Sequence, residues 1–457
     1  MSRFRPIDRD TDWLLPPSVQ DWLPEAHLAR YVATVVENLD LSEIERAYAG
    51  RGSEAYHPAS LLSLLIYGYA TATFSSRKIE NATYDSLAFR YLACNQHPDH
   101  DTLATFRRRF GKQFESAFVQ VLQIARENQL SSFGTVSLDG TKIHANASRH
   151  SALSYEYTVK LEAQLKAEVQ ELFALAEAAD QTMVPDGMSV PAEISRREDQ
   201  IKAIAQARTQ IEDRRRERYV REKAEFDTKM AERKAKEEET GKKTGGKKPT
   251  PPTDSPDPSD QVNLTDDESR TMKVAGGGFE QCYNAQAVVD TESLLVVVAY
   301  VTQAVNDKQQ IQPALEQIKA LPEGLNAPKT LLADSGYYSE QNVEASLNAA
   351  VEPLISIGRD AHHRNWKDRF NEPAALPENA TNVETMRHTL KTQAGKKRYG
   401  LRKQTVEPVF GIIKSVMGFR QFLMRGLKKA GNEWTLVCLA WNVKRMAALR
   451  PNYIQSS

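Results

Sequence analysis

The sequence predicts a mixed α/β protein: one central mixed sheet flanked by helices, interrupted by a long helical insertion and preceded by an all-α region. Three observations predict it. Residues 1–130 place apolar side chains at helical spacing. The stretches "GTVSLDGTKIHANASRH" (134–150) and "KTLLADSGYYS" (329–339) each read as a short apolar strand that ends in an acid. Between them, residues 154–261 switch to amphipathic helices and a run rich in Lys, Pro and Gly.

Taken in order, "SLLSLLIYGYATATF" is densely apolar, and Phe106, Phe110, Phe114, Phe118 and Leu122 recur at helical spacing. "SSRKIENATYDSLAFRYLA" offers a Ser helix start and a further amphipathic run. Arg107, Arg108 and Arg109 stand together on one helix, and exposed arginines on short helices are compatible with DNA binding, although no sharp helix-turn-helix signature is present. In the insertion, Leu161, Leu165, Val169, Leu172 and Ala176 form one stripe, and Ile194, Ile201, Ile204, Ile211 and Tyr219 a second, with the loop "QTMVPDGMSVP" between. That is a helical hairpin, followed over residues 240–260 by a flexible tether. Strands are expected at 281–290, 293–302, 329–334 and 352–358, and helices at 307–321 and 340–350; Asn306 and Asp307 read as helix caps. The final third, from Gln404 to Leu449, reads as mostly helical. The insertion thus leaves and re-enters one sheet.

Composition sets bounds. The 457 residues suffice for two or three domains with a proper core. Hydrophobic residues make up 40% and charged residues 26%, ordinary for a soluble globular protein, and the longest apolar run, near "SLLVVVAYV", is too short to span a bilayer. The first residues lack the apolar core of a signal peptide. Cys94, Cys282 and Cys438 are far apart and lack metal spacing, which fits a reducing cytosol. Net charge is zero, yet from Lys391 to Lys429 a dense basic field surrounds one acid, Glu407. Such a field attracts polyanions.

Asp139 and Asp334 are acids at matching strand ends. Either one alone reads as a turn cap. Side by side, two carboxylates repel and call for cations between them, and oxygen-only ligands suit Mg²⁺. Glu407 supplies a third acid. Pro408 after it points to a helix start, and Lys414 lies two turns on, on the same face. His144 is a poor ligand for such a site and suits phosphate contact or support of the hairpin. Asn284 and Gln286 lie on the strand expected beside Asp139 and can orient the carboxylates. Asp290 and Asp307 are further acids near strand ends. Trp434 and Trp441, seven apart, read as core packing.

"LDGTKIHANAS", "NAQAVVD" with "AVND", "LLADSGYYS" and "YGLRKQTVEPVFGIIK" together resemble the blocks of bacterial insertion-sequence transposases of the DDE type, and "YHPASLLSLLIYGYATATFSSRKIE" resembles their N-terminal helical domain. The resemblance implies an RNase H-like catalytic domain, split into residues 131–153 and 262–450 by the insertion at 154–261, after an N-terminal DNA-binding helical domain at 1–130. It makes Asp139, Asp334 and Glu407 the catalytic and metal-binding triad, holding two Mg²⁺ ions with Mn²⁺ as a substitute. Tyr399, Arg402, Lys414 and Arg425 become contacts to DNA or its phosphates; the gap from Arg402 to Glu407 is one residue longer than the commonest form. It implies a bacterial cytoplasmic enzyme at the nucleoid, with no membrane partner. Acting as a homodimer, it would bind terminal inverted repeats, cut at each end and join the freed 3′-hydroxyl to target DNA. The alternatives are an inactive, domesticated DNA-binding protein and a nuclease of the same fold without strand transfer.

Overall fold

The structure is a computed structural model and describes residues 18–48, 55–177, 189–241, 245, 248–358 and 372–449. Among the described residues eight helices come first: α1 (Val19–Trp22), α2 (Leu28–Glu37), α3 (Ser42–Arg46), α4 (Pro58–Ala70), α5 (Ser76–Asp85), α6 (Leu87–Leu92), α7 (His100–Arg109) and α8 (Gly111–Glu127). Their starts are capped as the sequence dictates. Pro58 opens α4, where a missing N–H is harmless, and the Asp99 carboxylate accepts the Thr102 N–H at the head of α7.

The sheet contains β1 (Thr135–His144), β4 (Arg270–Lys273), β5 (Phe279–Asp290), β6 (Val296–Thr302), β7 (Thr330–Ala333) and β8 (Glu352–Ile355). β1 pairs antiparallel with β5 and parallel with β7, and β7 pairs parallel with β8. The other edge of β5 is shared by β6 and β4. Short β2 (Ala152–Ser154) and β3 (Gln261–Asn263) pair with each other and carry the chain out of and back from the insertion.

The insertion is the expected hairpin, α9 (Tyr155–Glu177) against α10 (Val190–Thr240). Leu165, Leu172, Ile204 and Ile211 bury the seam, and Arg208 with Glu162 and Arg197 with Glu168 pair across it. Most of the intervening loop lies outside the described residues. The tether is not loose along its second half. Arg215 donates to the Thr253 carbonyl, the Tyr155 N–H to Asp260 O and the Glu156 N–H to Pro258 O, so residues 253–260 are laid along the helices. Their Pro and Asp content suits an extended segment whose polar groups are met by α10 arginines.

After β6 come α11 (Ile311–Lys319), α12 (Glu340–Asn348), α13 (Asn382–Lys391), α14 (Gln393–Gly411) and α15 (Leu427–Leu449). Helix α15 is buried nearly all round. It lies between the sheet and the N-terminal helices, touching β6 on one side and α4 and α8 on the other. The Asn442 amide both accepts from the Val296 N–H and donates to the Val296 carbonyl, closing the edge of β6. Trp434 and Trp441 are core residues whose indoles donate to Gln286 O and Leu294 O.

One polar network ties the N-terminal helices to this frame. The fully buried Glu433 carboxylate on α15 accepts from the Tyr69 hydroxyl and from the Leu423 and Met424 N–H groups. Arg107 donates to the Tyr69 hydroxyl and the Phe74 carbonyl. Of the three α7 arginines, Arg107 is buried at 8% exposed, whereas Arg108 and Arg109 stay exposed, Arg109 lying over the Tyr48 and Phe110 rings and donating to Ala47 O. Removing one member of a buried charged network leaves its partners unpaired. Glu433→Ala is expected to lower unfolding free energy by about 3–5 kcal/mol in urea titrations; a loss below about 0.5 kcal/mol, the surface range, would show that the network holds nothing.

Candidate active site

Asp139 and Asp334 meet through strand register. Ser137 of β1 is opposite Leu332 of β7. The same offset carried two residues further sets Asp139 beside Asp334, at the carboxyl end of β7, where open α/β sheets present ligand sites. β7 stops there because the Asp334 carboxylate accepts the Gly336 N–H at 2.8 Å and turns the chain into a short 3₁₀ turn, Ser335–Tyr337.

Asp139 does not end its strand, as the sequence suggested. β1 runs on to His144 because β5 keeps pairing with it after β7 has ended. Gly140 belongs to the strand, and the need there is for space: a Cβ would meet Gln286 Nε2 at 2.2 Å and Asp307 Oδ1 at 2.7 Å. The Asp139 carboxylate accepts the Gly140 N–H at 2.8 Å. Burial pushes its carboxyl up to about 6, reinforced by the charges of Asp334 and Asp307 and opposed by the Gly140 N–H and Arg402.

Glu407 is on α14, near its end and not its start. Pro408 sits inside the helix. Proline costs the helix one N–H bond and crowds the carbonyl four residues back, but Thr405, Val406, Val409 and Phe410 of the same turns are buried, so core packing outweighs the local preference. The helix then widens into a π-helical turn, Ile412–Val416. That turn redirects Lys414, whose ammonium donates to the Lys142 carbonyl of β1 at 3.0 Å.

Arg402 joins the acids. Its guanidinium lies 3.3 Å from Asp139 Oδ2 and 3.1 Å from Glu407 Oε1. Among the described residues no three His, Cys, Asp or Glu side chains stand close enough to hold a metal together; a guanidinium spans Asp139 and Glu407 instead. Tyr399, one turn before Arg402, donates to the Ala333 carbonyl beside Asp334. Arg425 is further along the chain, on an exposed loop, and donates to Asn146 O.

The remaining candidates fall into place. Asp307 does not cap a helix, since α11 begins at Ile311. Its carboxylate accepts from Asn284 Nδ2 at 2.6 Å and Gln286 Nε2 at 2.7 Å and faces the Lys142 ammonium at 3.6 Å. Asn284 and Gln286 therefore orient Asp307, and Gln286 also accepts from the Tyr337 hydroxyl. The sequence signal for this knot was the placement of two amides on alternate positions of a strand with an acid beyond it. Asp290 is buried at the β5–β6 turn, where Ser131, Glu292 and Ser293 donate to it. His144 pairs with Gln421 through its backbone.

The sheet is a mixed one in which β6 and β4 share one edge of β5 and the order continues β5-β1-β7-β8, with Asp139 and Asp334 near its centre. Two family models match: the transposase domain (DUF772) over residues 17–109, and the transposase DDE domain over residues 241–443. The chain belongs to the DDE transposases of insertion sequences. No curated protein and no solved structure matches it. Among the described residues no helix is long and apolar enough to cross a membrane.

The Asp139 carboxyl titrates higher folded than unfolded, so its charge costs stability above about pH 6 and costs nothing below its usual range near 3.8. Asp139→Asn should gain on wild type by roughly 3 kcal/mol as the pH rises from 4 to 8, read from urea midpoints along that series. A stability difference independent of pH would show that the carboxyl is not strained by burial.

Proposed function

We propose that the chain is a transposase that binds the terminal inverted repeats of its own insertion sequence, cuts a phosphodiester at each end and joins the freed 3′-hydroxyl to target DNA. The observation that carries this is the juxtaposition of Asp139, inside β1, and Asp334, at the end of the adjacent β7, with Glu407 linked to Asp139 through one guanidinium. The donor set suits a hard divalent cation: it is made of carboxylates, and Asp139 is buried enough to require a positive neighbour. Asp139, Asp334 and Glu407 would hold Mg²⁺, or Mn²⁺ in its place. When bound, two such ions activate the attacking oxygen and stabilise the leaving one.

The chain's own residues do the rest. Arg402 keeps the carboxylates charge-balanced, and by turning from them toward a DNA phosphate it both frees the acids and grips the substrate. Tyr399 fixes the end of β7 and so the place of Asp334. Lys414 and Arg425 lie along or beyond β1 and lead the phosphate backbone away from the carboxylates. Joining two ends calls for a homodimer on DNA. The work takes place in the bacterial cytoplasm, at the nucleoid.

The test is cleavage and strand transfer on labelled DNA carrying the element's ends, with Mg²⁺. Asp139→Ala, Asp334→Ala and Glu407→Ala are each expected to lose activity by ~10³-fold, the scale of removing a transition-state electrostatic contact, while retaining DNA binding. Full activity in the Glu407 variant would remove that residue from the triad. Binding without cutting by wild type would leave a DNA-binding protein only.

A further inference from the structure

A cavity of about 310 Å³ lies where the insertion meets the sheet edge. Arg214, Arg215 and Arg218 of α10 line it with Arg270 of β4, together with the exposed apolar side chains of Phe279 and Val305. Four guanidiniums but one carboxylate, that of Asp260, line the cavity. Arg215 pairs with Glu222 and Arg218 with Asp260. Arg214 donates to backbone carbonyls of Gln261 and Asp267, and Arg270 to those of Asp267, Glu268 and Ser269. Among the described residues no carboxylate pairs directly with Arg214 or Arg270, although the charges of Asp267 and Glu268 act on both from a distance. Arg215 is 9% exposed, and its Nε has no hydrogen-bond partner among the described residues. Burial and the charge of Arg214 push the Arg270 guanidinium down to about 10. Crowded, desolvated positive charge of this kind is relieved by an anion.

The cavity is at the same end of the sheet as the carboxylates. Val305 is two residues from Asp307, which faces Lys142 on β1. Arg270 is opposite Cys282, and Cys282 is opposite His144 at the end of β1. The loop that carries Arg425 also reaches this edge: the Gly426 N–H donates to Asp266 and the Leu427 N–H to Glu268. The basic segment 391–429 and the arginine cavity are thus neighbours, which fits a ligand with charges repeated over a long path.

We propose that this arginine-walled cavity binds a backbone phosphate of the DNA substrate, so that the helical insertion grips DNA through α10. The proposal rests on the transposase reading above. Phe279 and Val305 offer an apolar flank to the deoxyribose next to that phosphate.

The test uses the full chain and a fluorescein-labelled random-sequence duplex, because a phosphate contact carries no sequence information. Anisotropy titrations over a range of KCl give affinity and salt slope. The Arg214→Gln/Arg270→Gln double variant is expected to bind roughly tenfold more weakly and to lose about 0.9 from the slope for each lost contact. Arg218→Gln, at a side chain 47% exposed, keeps the test valid if the double variant folds poorly, and should show a smaller loss of the same kind. Arg196→Gln, on the same helix with a side chain 70% exposed, should change neither quantity. Unchanged affinity and slope in the cavity variants would overturn the proposal. So would an equal loss in Arg196→Gln, or thermal stabilisation of wild type by inorganic phosphate while the variants bind DNA normally. Failure of wild type to bind any duplex would sink the transposase reading itself.

Discussion

Two carboxylates set side by side on adjacent strands repel, and the site is organised around that repulsion. The β1–β7 register fixes the backbone positions of Asp139 and Asp334 without regard to their charge. A buried carboxylate in that position must be protonated or matched by a cation. Arg402 provides the match, and a planar guanidinium can serve two acids at once. That requirement explains why α14 crosses the sheet where it does. Tyr399 on the same helix reaches the end of β7, and Lys414 within the wide turn reaches the far half of β1.

Behind the acids stands a rigid support. Gly140 lets the Asn284, Gln286 and Asp307 side chains come within contact of β1, and Trp434 holds the Gln286 carbonyl from the opposite side. Trp434 lies on α15, which is held in turn by α4 and α8 and by the buried Glu433 network. The N-terminal helices therefore brace the central sheet, whatever further contacts they make. Sites built on packed strands and helices keep their geometry better than sites on loops.

Much of this was legible in the sequence, for reasons that can be named. Short apolar runs ending in Asp139 and Asp334 gave both strands and both acids, because strand burial leaves a strong local pattern. The hairpin was legible in its two stripes. The position of Glu407 within its helix was not: the Pro408 signal is local, whereas the burial of Val406, Val409 and Phe410 that overrides it is tertiary. The continuation of β1 past Asp139 was hidden because it depends on pairing with β5, far along the chain. Asp307 read as a helix cap, yet its partners are amides on another strand. The buried role of Arg107 was equally invisible, since a run of three arginines looks the same whether exposed or packed.

Arg402 links the packing of the site to its chemistry, because the same guanidinium that balances the acids stands where a metal's charge would act. The most direct measurement is Mn²⁺ binding to the DNA-free protein, followed by the loss of the free-ion paramagnetic resonance signal, in wild type and Arg402→Gln. If Arg402 competes with metal for Asp139 and Glu407, the variant binds Mn²⁺ more tightly, by roughly tenfold for about one unit of lost charge pairing. Equal or weaker binding in the variant would contradict that competition, and with it the assignment of these carboxylates as one metal site.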